Sequence, residues 1–179
     1  MSERELNRDG LSGGTGTRKQ ALVIIDIQND ITKNYREIIG NINRAIDWAA
    51  RSLIPVVYVK HENASAGTRT FKPGTSGFEL VPELKVVSEL VFTKTKGNAL
   101  TSPAFMDFIQ KAGINEFCIT GADAVACVKS TCYNLRKASY TVTVLSDCVT
   151  SYDKTKINDM LRYYESKGCA VKTVTEWVK

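Results

Sequence analysis

Phe117-Cys-Ile-Thr-Gly-Ala-Asp-Ala-Val-Ala-Cys127-Val-Lys-Ser-Thr131 runs from an apolar segment through a Gly-containing turn into a helical pattern. The helix begins near Val125. Val128, Cys132 and Leu135 share one of its faces, at i, i+4 and i+7. Cys127 lies in the first turn, just off that face. A thiol there meets unpaired backbone N–H groups and the positive end of the helix dipole, and both favour the thiolate. A strand–turn–helix that offers a nucleophile at a helix start is a recurrent acyl-transfer device. The plain alternative is a buried, inert Cys.

The flanking sequence repeats the same strand–helix alternation. Ala21-Leu-Val-Ile-Ile25 is a continuous, β-branched apolar run, as expected of a strand buried on both faces of a parallel sheet. It stops at Asp26, followed by Ile27-Gln28. A helical pattern covers roughly Tyr35 to Leu53, with Ile38, Ile42, Ala45, Ile46 and Ala49 facing inward. Pro55 to Val59 is a second strand leading to Lys60-His61. Residues 63–82 form a long Gly/Ser/Thr-rich loop holding Phe71 and Phe78, the length of a lid or binding loop.

Leu90 to Thr93 is a third strand ending at Lys94. Ser102-Pro103 reads as an N-cap with Pro at the first helical position, and Gly113 as that helix's stop. Glu116 to Thr120 is the fourth strand and Tyr140 to Leu145 the fifth. A helix from Thr155 to about Lys167 is closed by Gly168, and Ala170 to Val174 is a short sixth strand. Strands alternating with helices predict an α/β chain of βαβ units with a mostly parallel six-stranded sheet, flanked by helices on both faces. Trp48 is expected to pack on the first helix, and Trp177 is a candidate for a subunit contact.

The 179 residues suit one domain over 21–179, preceded by a polar, Gly-containing tail over 1–20 expected to be flexible. Hydrophobic residues make up 43% and charged ones 24%, an ordinary globular balance. The net charge of +5 is scattered and shows no Arg-rich or aromatic-interleaved block for nucleic acid. No apolar run reaches membrane-span length. Five Cys without a C-x-x-C pair, and no signal peptide, fit a reduced, cytoplasmic protein.

In parallel sheets, ligands bind beyond the carboxyl ends of the strands. Asp26, His61 and Lys94 stand at such ends, and the fourth strand feeds Cys127. A carboxylate, an ammonium and a thiol gathered there make a usable set. Asp26 takes the thiol proton, Lys94 compensates the carboxylate's charge, and the thiolate attacks a carbonyl. N–H groups at the helix start then stabilise the oxyanion. Taken singly, Asp26 also reads as a turn or capping carboxylate, and Lys94 as a surface charge. Gln28, His61, Phe71 and Phe78 are the candidate pocket residues; His61 reads equally as a structural hydrogen-bonding residue, and Phe71 and Phe78 as anchors that pack the loop.

Three motifs carry a resemblance: Val-Ile-Ile-Asp26-Ile-Gln-Asn-Asp, Val-Phe-Thr-Lys94-Thr-Lys-Gly-Asn-Ala-Leu, and Gly-Ala-Asp-Ala-Val-Ala-Cys127-Val-Lys-Ser-Thr. In this order they resemble the isochorismatase-like cysteine hydrolases, over about residues 21–174. Tyr-Val-Lys-His61, Gly74-Thr75 before Glu79-Leu-Val-Pro82, and Ser146-Asp-Cys-Val-Thr-Ser151 are lesser matches. The resemblance implies a three-layer Rossmann-like fold. It also implies a Cys127–Lys94–Asp26 triad that hydrolyses amide, ureide or carbamoyl C–N bonds of a small molecule through a thioester. It implies further an oxyanion hole of the Cys127 and Asp123 N–H groups, a non-proline cis peptide at Ala122–Asp123, and a homo-oligomer, dimer or tetramer.

Two departures narrow that reading. The nicotinamidase branch of the family binds a metal through an Asp two residues before the His61 position and a second His. Here Val59 stands there and His61 is the sole His, so no metal and no cofactor are expected. Isochorismatases that cleave a vinyl ether lack the Cys, so Cys127 argues against that reaction. Asp123, beside the nucleophile, is placed to repel an anionic substrate or to bind an amine. Besides the amidohydrolase, two readings stay open: a non-catalytic ligand-binding relative, and a thiol redox sensor, which lacks a resolving Cys within helical reach of Cys127.

Overall fold

A computed structural model describes residues 17–179. Of the expected tail, residues 1–16 lie outside the described residues. The rest is a correction: Gln20 already pairs in the first strand, and the Lys19 N–H donates to Asn115 Oδ1.

Among the described residues six strands, β1 (Gln20–Ile25), β2 (Val56–His61), β3 (Val91–Lys94), β4 (Glu116–Ala122), β5 (Thr141–Thr150) and β6 (Ala170–Lys172), form one sheet in the order β3-β2-β1-β4-β5-β6. Every strand pairing is parallel. This is the doubly wound order that reverses between β1 and β4. The α-helices are α1 (Asn29–Thr32), α2 (Ile39–Arg51), α3 (Pro103–Ala112), α4 (Cys127–Lys137), α5 (Ile157–Ser166) and α6 (Val174–Trp177).

Alternation along β1 builds both cores. Ala21, Val23 and Ile25 pack with Phe105, Ile109, Val128, Leu135 and Tyr164 of α3, α4 and α5. Leu22 and Ile24 pack with Ile42, Ala45, Ile46 and Trp177 of α2 and α6 on the opposite face. Burying both faces requires the uninterrupted apolar runs seen in the sequence. Trp177 is buried edge-on against Trp48, at 4.6 Å between ring centroids, and so serves the core rather than a free contact surface. Among the described residues no helix is long and apolar enough to cross a membrane.

Local chemistry sets the boundaries. The Ser102 hydroxyl accepts from the Phe105 N–H, Pro103 opens α3, and Gly113 closes it in the left-handed region at φ 66°. Two of the ends that differ from the sequence expectation have a clear local cause. β5 runs on to Thr150, because an irregularity lets Val149 pair with Gly121 after Val144 has paired with Ile119. Val174 is helical rather than β, because Thr173 and Glu176 form a reciprocal capping box that starts α6.

Candidate active site

The sheet reverses direction between β1 and β4, and the sequence's reactive residues collect at the carboxyl ends there. Asp26 follows β1 directly, with φ 56°. That left-handed conformation suits Asp better than most residues. Its N–H donates to the Val59 carbonyl at 2.9 Å. On the other side Gly121 passes so close to β1 that a Cβ would sit 2.1 Å from the Ile25 carbonyl oxygen, at φ 113°. Only glycine fits this approach. His61 and Lys94 end β2 and β3 and are direct register partners. Cys127 is the first residue of α4.

The Lys94 ammonium joins them. Its Nζ lies 2.9 Å from Asp26 Oδ2, 3.0 Å from His61 Nδ1 and 3.4 Å from Cys127 Sγ. Lys94 and Asp26 are each 2% exposed. An ion pair this deep must be well made, since each charge loses its water. Asp26 Oδ1 is buried and has no hydrogen-bond partner among the described residues. A carboxylate oxygen of Asp26 and the Cys127 sulfur lie within 4.8 Å of each other. An acceptor left open beside a thiol is placed to act as its base.

Burial raises the Asp26 pKa above the ordinary carboxylate value, and Lys94 and the Cys127 thiol pull against that rise. Burial, then the Asp26 charge, push the Cys127 thiol up to about 12, with Lys94 opposing. This corrects the expectation of a resting thiolate. The helix start is outweighed by desolvation and by the neighbouring carboxylate. The resting group is therefore a thiol, and its proton must leave as the sulfur attacks.

The peptide bond between Ala122 and Asp123 is cis. Among the described residues, the N–H groups of Asp123 and Cys127 donate to no protein acceptor. The Asp123 carboxylate, by contrast, is fully used. It accepts from the Tyr35 hydroxyl at 2.9 Å, the Tyr152 N–H at 2.8 Å and the Val125 N–H at 2.9 Å. It holds the turn together instead of meeting a substrate. Tyr164, whose hydroxyl donates to the Ala124 carbonyl, braces the same turn from α5. Neither tyrosine was legible as part of the site, because each reaches it from a distant stretch of chain.

Two pocket candidates move. Gln28 is buried, and its amide donates to the His61 and Phe78 carbonyls and accepts from the His61 N–H. It clamps the backbone on which His61 stands, so it is not free to bind substrate. Phe78 is buried beneath the Lys60 ammonium, 3.8 Å from its ring centroid, and anchors the loop. Phe71 and His61 do stand together, 5.3 Å between ring centroids. Phe71 is held at φ 57°, with its N–H donating to Asp30 Oδ2 at 2.6 Å.

Asp26, His61 and Cys127 each present an atom of metal-ligand type within 4.8 Å of the others. They do not fit a metal ion, because the Lys94 ammonium already stands in contact with all three. An ion there would have to displace the cation that stabilises buried Asp26, and would occupy the sulfur.

A parallel sheet of this order, with an acid, an amine and a thiol at its switch point, defines a class of small Rossmann-like hydrolases. The isochorismatase domain family matches residues 20–176, so the chain belongs to that family of hydrolases. A "Probable inactive nicotinamidase" of Arabidopsis thaliana is 27% identical over 188 residues, covering 89% of this chain and 95% of that protein. An isochorismatase family protein of Desulfovibrio vulgaris superposes with a TM-score of 0.82 at 20% identity, over 88% of this chain and 95% of that one. N-carbamoylsarcosine amidase of Thermoplasma acidophilum gives a TM-score of 0.76 at 24% identity, over 87% and 96%. The last two likenesses establish the common fold.

Proposed function

We propose that this chain is a cysteine amidohydrolase that cleaves a C–N bond in a small amide, ureide or carbamoyl compound. One observation carries the reading: a single buried ammonium touches a carboxylate from a strand end and a thiol from a helix start. Asp26 takes the thiol proton while Cys127 Sγ attacks the substrate carbonyl. The Asp123 and Cys127 N–H groups receive the oxyanion. Collapse breaks the C–N bond, and Asp26 returns its proton to the departing amine, leaving a thioester on Cys127. Asp26 then takes a proton from water, whose oxygen attacks the thioester. The acid departs and the thiol is restored.

Ammonia release across a panel of amides, ureides and carbamates tests this. Cys127→Ala is expected to abolish turnover while keeping the fold, and an acyl adduct is expected on the wild-type chain by mass spectrometry. Turnover that survives in Cys127→Ala rejects the proposal. The inactive label of the Arabidopsis relative favours a second reading, a ligand-binding module without turnover. Saturable binding of a panel compound with neither ammonia nor adduct would select it.

A further inference from the structure

We propose that His61 is a positioning residue that acts through Lys94, its Nδ1 accepting one ammonium N–H so that the other two aim at Asp26 and Cys127. This inference rests on the catalytic reading of that ammonium. An ammonium carries three donors and no acceptor. At Lys94 the three nearby acceptors number three, at 2.9, 3.0 and 3.4 Å. In a site this buried, an ammonium N–H left without an acceptor is costly, so removing one acceptor lets the head group turn.

The surroundings of His61 fit that duty. Its backbone is fixed on both sides by Gln28, and Lys94 is its direct cross-strand partner. Its ring leans on Phe71. An acceptor at Nδ1 places the imidazole proton on Nε2. Among the described residues, Nε2 has no protein hydrogen-bond partner. The charged and titratable groups around the ring are Lys94 from β3, Asp26 after β1 and Cys127 from α4. Neighbouring Lys60 is turned to Glu79 instead. Burial, then Lys94, hold the imidazole's pKa below its ordinary value, with Asp26 opposing. A protonated ring would present N–H to an ammonium 3.0 Å away, so acid breaks the contact.

Because the chain has a single histidine, its ring nitrogens can be read alone in the untagged protein. Nitrogen-15 NMR at neutral pH is expected to show the Nε2–H tautomer, and Lys94→Met is expected to raise the imidazole pKa. An Nδ1–H tautomer, or a pKa that Lys94→Met leaves unmoved, overturns the inference. This readout needs no substrate, so it stands apart from the Cys127→Ala test.

Side-chain length supplies the kinetic arm. Asn offers its amide oxygen where Nδ1 stands, Gln offers it where Nε2 stands, and Leu offers neither. His61→Leu and His61→Gln are expected to lower kcat about 100-fold, the scale of a small misplacement at a reacting centre, with KM little changed. His61→Asn is expected to stay within severalfold of wild type, and the imidazole's share of the acid limb should vanish from its kcat profile. Retained turnover in folded His61→Leu overturns the proposal, as does rescue by Gln but not Asn.

Discussion

Cys127 heads a helix, and by that position alone its thiol should be acidic. Its neighbours decide otherwise: desolvation and Asp26 outweigh the helix start, and the thiol is pushed up to about 12. Nucleophile acidity and turnover therefore part company. Asp26→Asn removes the negative charge, so Cys127 is expected to alkylate severalfold faster than wild type with iodoacetamide at neutral pH, while hydrolysis is lost. Equal or slower alkylation would show that Asp26 does not govern the sulfur. Lys94→Met tests the other partner. It leaves Asp26 buried without its cation, which costs about 3–5 kcal/mol when the carboxylate is ionised. Asp26 already has a raised pKa when folded, and losing Lys94 raises it further. Just above the ordinary 3.8, the folded chain then binds more protons than the unfolded one. Stability from this group is present at low pH and lost as pH rises through the folded pKa. The urea midpoint of Lys94→Met should thus recover, relative to wild type, as pH falls from 7 toward the ordinary 3.8. A pH-independent deficit would mean that the ion pair is not its cause.

The elements were legible where local chemistry and burial agree. The apolar β1, β2 and β4 runs and the Ser102-Pro103 to Gly113 frame of α3 are written in adjacent residues. The β5 irregularity was not, since it depends on how β4 lies beside it. The capping box of α6 was in plain view as Thr173-x-x-Glu176, but the β-branched run before it reads as strand. A misfit at the end of α2 offers a stability test. Leu53 follows the helix with φ 56° and is 91% exposed. A branched side chain in the left-handed region costs roughly 1–2 kcal/mol, and none of it is returned by burial. Leu53→Gly removes that cost and adds a smaller one in unfolded-chain entropy. The variant should gain about 0.5–1 kcal/mol, read as a higher urea midpoint at unchanged m-value. A loss would mean that Leu53 is covered by a contact outside this chain's described residues.

At the scale of the molecule, sheet order gathers the site. Asp26 and Lys94 are 68 residues apart in sequence, and Lys94 and Cys127 are 33 apart. Strand ends placed these residues on one edge from sequence alone, because parallel βαβ winding puts every carboxyl end on the same side. What could not be read there was which side chains the fold spends on itself. Gln28 and Asp123 looked free, yet Gln28 is consumed by backbone groups and Asp123 by two backbone N–H groups and the Tyr35 hydroxyl. Lys94, which taken singly also read as a surface charge, is buried. Side-chain partners at such separations are set by packing, which no local pattern encodes. The same packing makes the cysteines reporters of the whole fold. Cys118, Cys132, Cys148 and Cys169 are buried, and Cys127 alone is half-exposed. A small methylthiolating thiosulfonate, which forms a mixed disulfide and releases a sulfinate, is therefore expected to modify at most Cys127 in the native protein and all five thiols once it is unfolded. The four buried thiols span both cores, Cys132 and Cys169 on one face and Cys118 and Cys148 on the other. If the two cores share one cooperative transition, all four become reactive together along a urea series, in step with loss of far-UV ellipticity. Earlier exposure of Cys132 and Cys169 would mean that the α3, α4 and α5 layer opens by itself, taking Cys127 away from Asp26 and Lys94 while the rest of the sheet still stands.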